Sequence, residues 1–76
     1  MKLLGHNTII FNDEVSLAEA KKDYPEWFAV ILDPVISGPR ATSGWVRAVS
    51  KTQDGAFRAL DQLGHLNRKV TVLPLR

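Results

Sequence analysis

Cysteine is absent from the 76-residue chain. Disulfides, thiolate-held metals and a cysteine nucleophile are therefore excluded. Small secreted domains ordinarily need such staples, so the absence points to the cytoplasm. Histidine occurs only at His6 and His65. Neither has a second histidine at ligand spacing, and a protein zinc site takes three or four ligands. His6 reads as a turn residue, and His65 as a helix-end residue that favours the dipole. No metal and no cofactor is expected. Long apolar stretches are missing too: the longest, Trp27 to Leu32, is far too short to span a membrane. Met1-Lys2-Leu3-Leu4 opens like a signal peptide but meets Gly5-His6-Asn7 before a hydrophobic region develops.

Catalytic signatures are equally scarce. There is no G-x-S-x-G elbow and no evident Ser–His–Asp order. Asp13 and Glu14 stand where acids suit a helix start, and Asp33 precedes a proline, where it serves a turn. The segment Ser37-Gly38-Pro39-Arg40-Ala41-Thr42-Ser43-Gly44 has the glycines, hydroxyls and arginine to hold an anion. It lacks the Gly-Lys-Ser/Thr of a P-loop, and a solvated hairpin loop is the simpler reading. No enzyme is expected.

What remains is the composition of one globular domain, residues 1–76. A chain this short buries roughly 60% of its unfolded surface, which leaves little room for a deep pocket. Charge is divided along it. Residues 1–33 carry three lysines against six acids, net −3, and residues 34–76 carry seven basic residues against two acids, net +5. The basic half either meets a phosphate backbone or an acidic protein face, or pairs with the acidic half in the fold.

Six elements follow from the pattern. Thr8-Ile9-Ile10-Phe11 reads as a strand. Ser16-Leu17-Ala18-Glu19 has capping-box spacing, with Asp13 as rival cap, and Pro25 ends that helix at Tyr24. Trp27–Leu32 is apolar at every position and reads as a central strand with both faces dry. Residues 34–44 read as a loop rich in proline, glycine and hydroxyls, unless Val35-Ile36 extends the strand. Trp45–Ser50 is the return strand, but its imperfect alternation leaves its buried face open. Thr52 caps a second helix, with Ala56, Leu60 and Leu63 as its inner stripe, and Gly64 or Asn67 ends it. Val70-Thr71-Val72-Leu73 is the last strand, stopped by Pro74. The order is β-α-β-β-α-β, so the expected fold is α+β and ferredoxin-like, an antiparallel sheet with two helices on one face.

The candidate partner-binding residues are Arg40, Trp45, Arg47, Lys51, Arg58, Arg68 and Lys69. Aromatics beside arginines and lysines stack bases and neutralise phosphates, and they also make protein hot spots. The Trp45-Val46-Arg47-Ala48-Val49 strand lacks the glycine and spaced aromatics of an RNA-recognition motif.

From Trp27 onward the chain resembles small phage-encoded inhibitors, of the type that block bacterial RNA polymerase or CRISPR machinery. The likeness lies in Trp27-Phe28-Ala29-Val30 opening a strand, Thr52-Gln53-Asp54-Gly55-Ala56-Phe57 opening a helix, and Val70-Thr71-Val72-Leu73-Pro74 closing the chain. Gly55 stands where the polymerase inhibitors carry an acid, and residues 34–44 are longer than their counterpart. The resemblance implies a non-enzymatic module that occludes a host protein machine. The alternative is a small nucleic-acid binder using the basic half. A homodimer through a sheet edge is a further expectation.

Overall fold

The apolar run around Ala29–Leu32 lies at the middle of the molecule. In the computed structural model, which describes residues 2–3, 7–64 and 67–76, all four of these side chains are buried. Among the described residues the chain forms a five-stranded antiparallel sheet and two helices. In chain order these are β1 (Lys2–Leu3), β2 (Thr8–Ser16), α1 (Leu17–Asp23), β3 (Phe28–Ser37), β4 (Arg40–Ser50), α2 (Gln53–Leu63) and β5 (Val70–Pro74). The sheet order is β1-β2-β4-β3-β5. His6 and His65, read above as turn and helix-end residues, lie outside the described residues.

The α+β class holds, but the expected β-α-β-β-α-β order gains a two-residue strand, β1, at its start, and the ferredoxin-like packing is not found. That packing needs the last strand beside the first long strand. Here β5 pairs with β3, at the opposite edge from β2. The consequence follows from handedness. The β2-α1-β3 and β4-α2-β5 crossovers each skip one strand and step the same way across the sheet, but their strands run in opposite directions. Right-handed crossovers then place the two helices on opposite faces. The core divides accordingly. On one face Leu17 and Ala20 of α1 pack with Ala29, Ile31, Val46, Val49 and Leu75. On the other, Ala56 and Ala59 of α2 pack with Ile10, Val30 and Ala48. Two helices on one face is therefore corrected to one helix on each.

Local chemistry sets the helix ends. The Ser16 hydroxyl accepts from the Glu19 amide at 3.3 Å, the forward half of a capping box. The Thr52 hydroxyl accepts from the Gly55 amide at 3.0 Å, and Gly64 closes α2 with φ 73°. Aromatic rings close the α1 side: Phe11 and Tyr24 lie 5.8 Å apart, and Tyr24 and Trp27 5.1 Å, at separations that favour tilted or edge-on pairs. Leu75 is 2% exposed; its amide donates to the Trp27 carbonyl and its carbonyl accepts from Glu26.

On the α2 side, small residues bring helix and sheet close. The buried hydroxyls of Thr8 and Ser50 share a hydrogen bond of 2.9 Å, and Ser50 also accepts from the Thr52 amide. Gly55 sits directly on this pair: a Cβ there would lie 2.1 Å from Ser50 Oγ and 2.6 Å from Thr8 Oγ1. Gly55→Ala is expected to destabilise the protein by about 2–3 kcal/mol in urea unfolding, as overpacking does. Gly55→Ala and Ser50→Ala combined should cost less than the sum of the two, because removing the hydroxyl relieves part of the clash.

Candidate functional site

The segment read as a loop over residues 34–44 is corrected to a two-stranded arm. β3 continues to Ser37, a turn at Gly38-Pro39 reverses the chain, and β4 starts at Arg40. Val35-Ile36 extends the strand because β-branched residues suit a pleated surface. The arm outruns its neighbours. The β3–β5 ladder ends at Leu32↔Val70, and the β2–β4 ladder ends at Ser16↔Trp45. Beyond those points, among the described residues, β3 and β4 pair only with each other, so the arm has two open backbone edges. Beside the β4 edge lies a shallow groove of about 280 Å³, lined by Ser16, Leu17, Thr42, Ser43 and Trp45 among others.

Bulges shape the arm. Asp33 and Pro34 stand against the single residue Gly44, and Thr42 is unpaired between Val35↔Ser43 and Ile36↔Ala41. Asp33 adopts φ 48°, a left-handed conformation that aspartate tolerates. Gly44 has φ 151°, and a Cβ on it would meet Ile31 Cγ2 at 2.6 Å. The Thr42 hydroxyl donates to the Val35 carbonyl at 3.2 Å, across the two strands.

The register then places three large apolar side chains in solvent: Val35 is 56% exposed, Ile36 53% and Trp45 48%. Val35 is opposite Ser43 and Leu32 opposite Trp45. Val35 and Trp45 therefore share the α2-side face as diagonal neighbours, a spacing that an aromatic side chain can bridge. Ile36 is opposite Ala41, which belongs to the α1-side core, so Ile36 faces the other way. Arg40 is exposed beside the turn.

The residues singled out from the sequence do not form one patch. Arg40 and Trp45 lie on the arm, and Lys69 lies at its base, where its carbonyl accepts from the Asp33 amide at 2.8 Å. Arg68 is nearby, but its guanidinium is occupied. Nε donates to Asp33 at 2.6 Å and NH1 pairs with Glu14. Since Glu14 belongs to β2 and Asp33 to β3, Arg68 bridges two strands that flank β4. The two carboxylates hold its pKa above the usual arginine value, Asp33 contributing most. Acidic and basic halves thus meet here in the fold.

Arg47 serves the backbone. Five steps of β2, from Ile10 to Val15, run past only two steps of β4, and Arg47 is itself the extra residue between Val46 and Ala48. Its Nε donates to the Phe11 carbonyl at 2.9 Å across this irregularity. Lys51 lies at the opposite end of β4, its ammonium 5.4 Å from the Trp27 ring, and Arg58 is exposed on α2. The sequence reading missed Val35 and Ile36 as site residues. The signal was there: two β-branched apolar residues next to each other in an otherwise polar stretch. Phe57, 51% exposed on α2, is a further apolar residue in solvent.

Among the described residues no three His, Asp or Glu side chains converge to hold a metal, and no helix is long and apolar enough to cross a membrane. Two stability predictions follow from the charges. Arg47→Ala should cost about 1–3 kcal/mol in urea unfolding, the range for a charge-assisted hydrogen bond, while Arg40→Ala stays within about 0.5 kcal/mol of wild type. Arg68→Gln should lower the melting temperature at low ionic strength, and the gap to wild type should narrow as salt is added. No protein-family model, curated protein or solved structure matches the chain, so its activity has to be argued from this chemistry.

Proposed function

We propose that the protein is a non-enzymatic protein-binding module that works through its β3–β4 arm. One observation carries this reading: Val35, Ile36 and Trp45, each about half exposed or more, project from a hairpin that extends beyond the body of the sheet. Tryptophan is among the commonest interface anchors; Val35 lies beside Trp45 and Ile36 on the opposite face of the arm, and an open strand edge supplies main-chain donors and acceptors to a partner. The arm carries one charge near its tip, Arg40, which favours an acidic rim on the partner. The inhibitor class that the sequence resembles gives this a specific form, in which the arm occupies a cleft of a host protein machine in the cytoplasm and blocks it by occlusion.

The distribution of charge favours a protein partner over nucleic acid. Of the seven candidate residues, Arg68 is neutralised by two carboxylates and Arg47 is committed to a backbone carbonyl. Lys51 follows the end of β4 farthest from the arm, and Arg58 lies on α2. A phosphate backbone is bound best by a continuous basic track.

Quantitative affinity capture from bacterial lysate tests the proposal with three proteins: wild type, Val35→Ser/Ile36→Ser, and Lys51→Ala/Arg58→Ala. The arm variant is expected to lose the captured protein by at least about tenfold, at roughly 1 kcal/mol per anchor, and the Lys51/Arg58 variant to retain it. Equal capture by all three would refute the arm as the site. Retention of nucleic acid that disappears steeply with salt would favour the nucleic-acid reading instead.

A further inference from the structure

Among the described residues the outer edge of β5 is a second open strand, at the far side of the sheet from β1. Its hydrogen-bonding groups can be assigned. The Asp33 amide donates to the Lys69 carbonyl, and the Leu75 amide donates to the Trp27 carbonyl. The β3–β5 register runs unbroken from Leu32↔Val70 to Phe28↔Pro74. In an antiparallel ladder, bonded and non-bonded positions alternate. Lys69, Thr71, Leu73 and Leu75 therefore face β3, while Val70, Val72 and Pro74 direct their backbone groups outward. The one usual protection on this edge is Pro74, at its end. No charged side chain lies within Val70–Pro74, and all five residues are only half-buried.

We propose that β5 pairs antiparallel with β5 of a second copy, joining the two sheets into one about a two-fold axis at Val72. Two features select a second copy over another partner. Overlap along the full strand puts Val72 opposite Val72 and Val70 opposite Pro74. In that register both outward amides of each strand, Val70 and Val72, find carbonyl acceptors, and the missing Pro74 amide is the only donor lacking. The side chains that meet are apolar on both faces: Val72 with Val72 and Val70 with Pro74 on the α2 side, Thr71 with Leu73 on the α1 side. The register also brings Arg76 of the second copy opposite Arg68. Arg68 is already paired with Glu14 and Asp33, and these carboxylates offset the meeting of two guanidinium groups across the pair. The axis is perpendicular to the sheet, and the two arms then project from opposite ends of the pair.

The absence of native cysteine makes the test direct. At a bonded antiparallel pair the Cα atoms are about 5.5 Å apart, within disulfide range. Val72→Cys is expected to form a disulfide-linked dimer under mild oxidation, whereas Thr71→Cys, which faces Leu73 of the other copy, is not. Light scattering of wild type should give twice the 8.5 kDa chain mass at high concentration. Val72→Pro removes only an outward amide and spares the β3 ladder, so it should be monomeric with an unchanged circular dichroism spectrum. Val35→Ser/Ile36→Ser should dimerise like wild type, which separates this inference from the arm. A wild-type mass of 8.5 kDa up to millimolar concentration, or disulfide yield at Thr71→Cys equal to or above that at Val72→Cys, would overturn it.

Discussion

The structure depends on keeping Ala29, Val30, Ile31 and Leu32 away from water on both faces of one strand. Alternation along a strand sends neighbouring side chains to opposite sides, so no single layer of helices can cover this run. One helix per face is the economical answer in a chain this short. The sheet order follows, because right-handed crossovers reach opposite faces only if both step the same way across the sheet. The small inner residues of α2, Ala56 and Ala59, with Gly55 above the Thr8–Ser50 hydroxyl pair, then let the second helix lie close to the sheet. The same close approach leaves space for nothing larger.

Much of this was legible in the sequence. Both caps, both helices, the central strand and the terminal strand are placed by local chemistry: Ser16, Thr52, Pro25, the apolar run and Pro74. The apolar run itself argued against an uncovered sheet face, yet the β-α-β-β-α-β order pulled the expectation toward one. Element order does not determine strand order, which here is decided by which edge of the sheet accepts β5. The buried face of Trp45–Ser50 could not be read because Arg47 is a bulge. It puts Val46 and Ala48 on opposite faces although they are two residues apart. Periodicity fails wherever an extra residue interrupts the pleat.

The candidate site was half legible. Trp45 and Arg40 were identified, with Trp45 on a strand, but residues 34–44 of the arm were taken for a loop, since proline and glycine at positions 34, 38, 39 and 44 are the same residues that mark turns. Here Pro34 and Gly44 sit at a bulge and only Gly38-Pro39 form a turn. The roles of Arg47 and Arg68 depended on contacts 36 and 54 residues away along the chain, and no local pattern encodes those. The division of charge between the two halves did carry information: at Arg68 it resolves into an ion-pair cluster that crosses β4 and braces the base of the arm.

Leu75 has a consequence for how the chain acquires its structure. Its side chain fills the α1-side core, and its backbone bonds tie Glu26 and Trp27 to the end of β5. A polypeptide emerging from the ribosome amino end first cannot complete that layer until residue 75 is outside the exit tunnel. Leu17, Ala20 and the Phe11–Tyr24–Trp27 rings must wait for it. The α1-side layer is thus closed only when Leu75 arrives, and until then its apolar face is exposed to whatever else is in the cell.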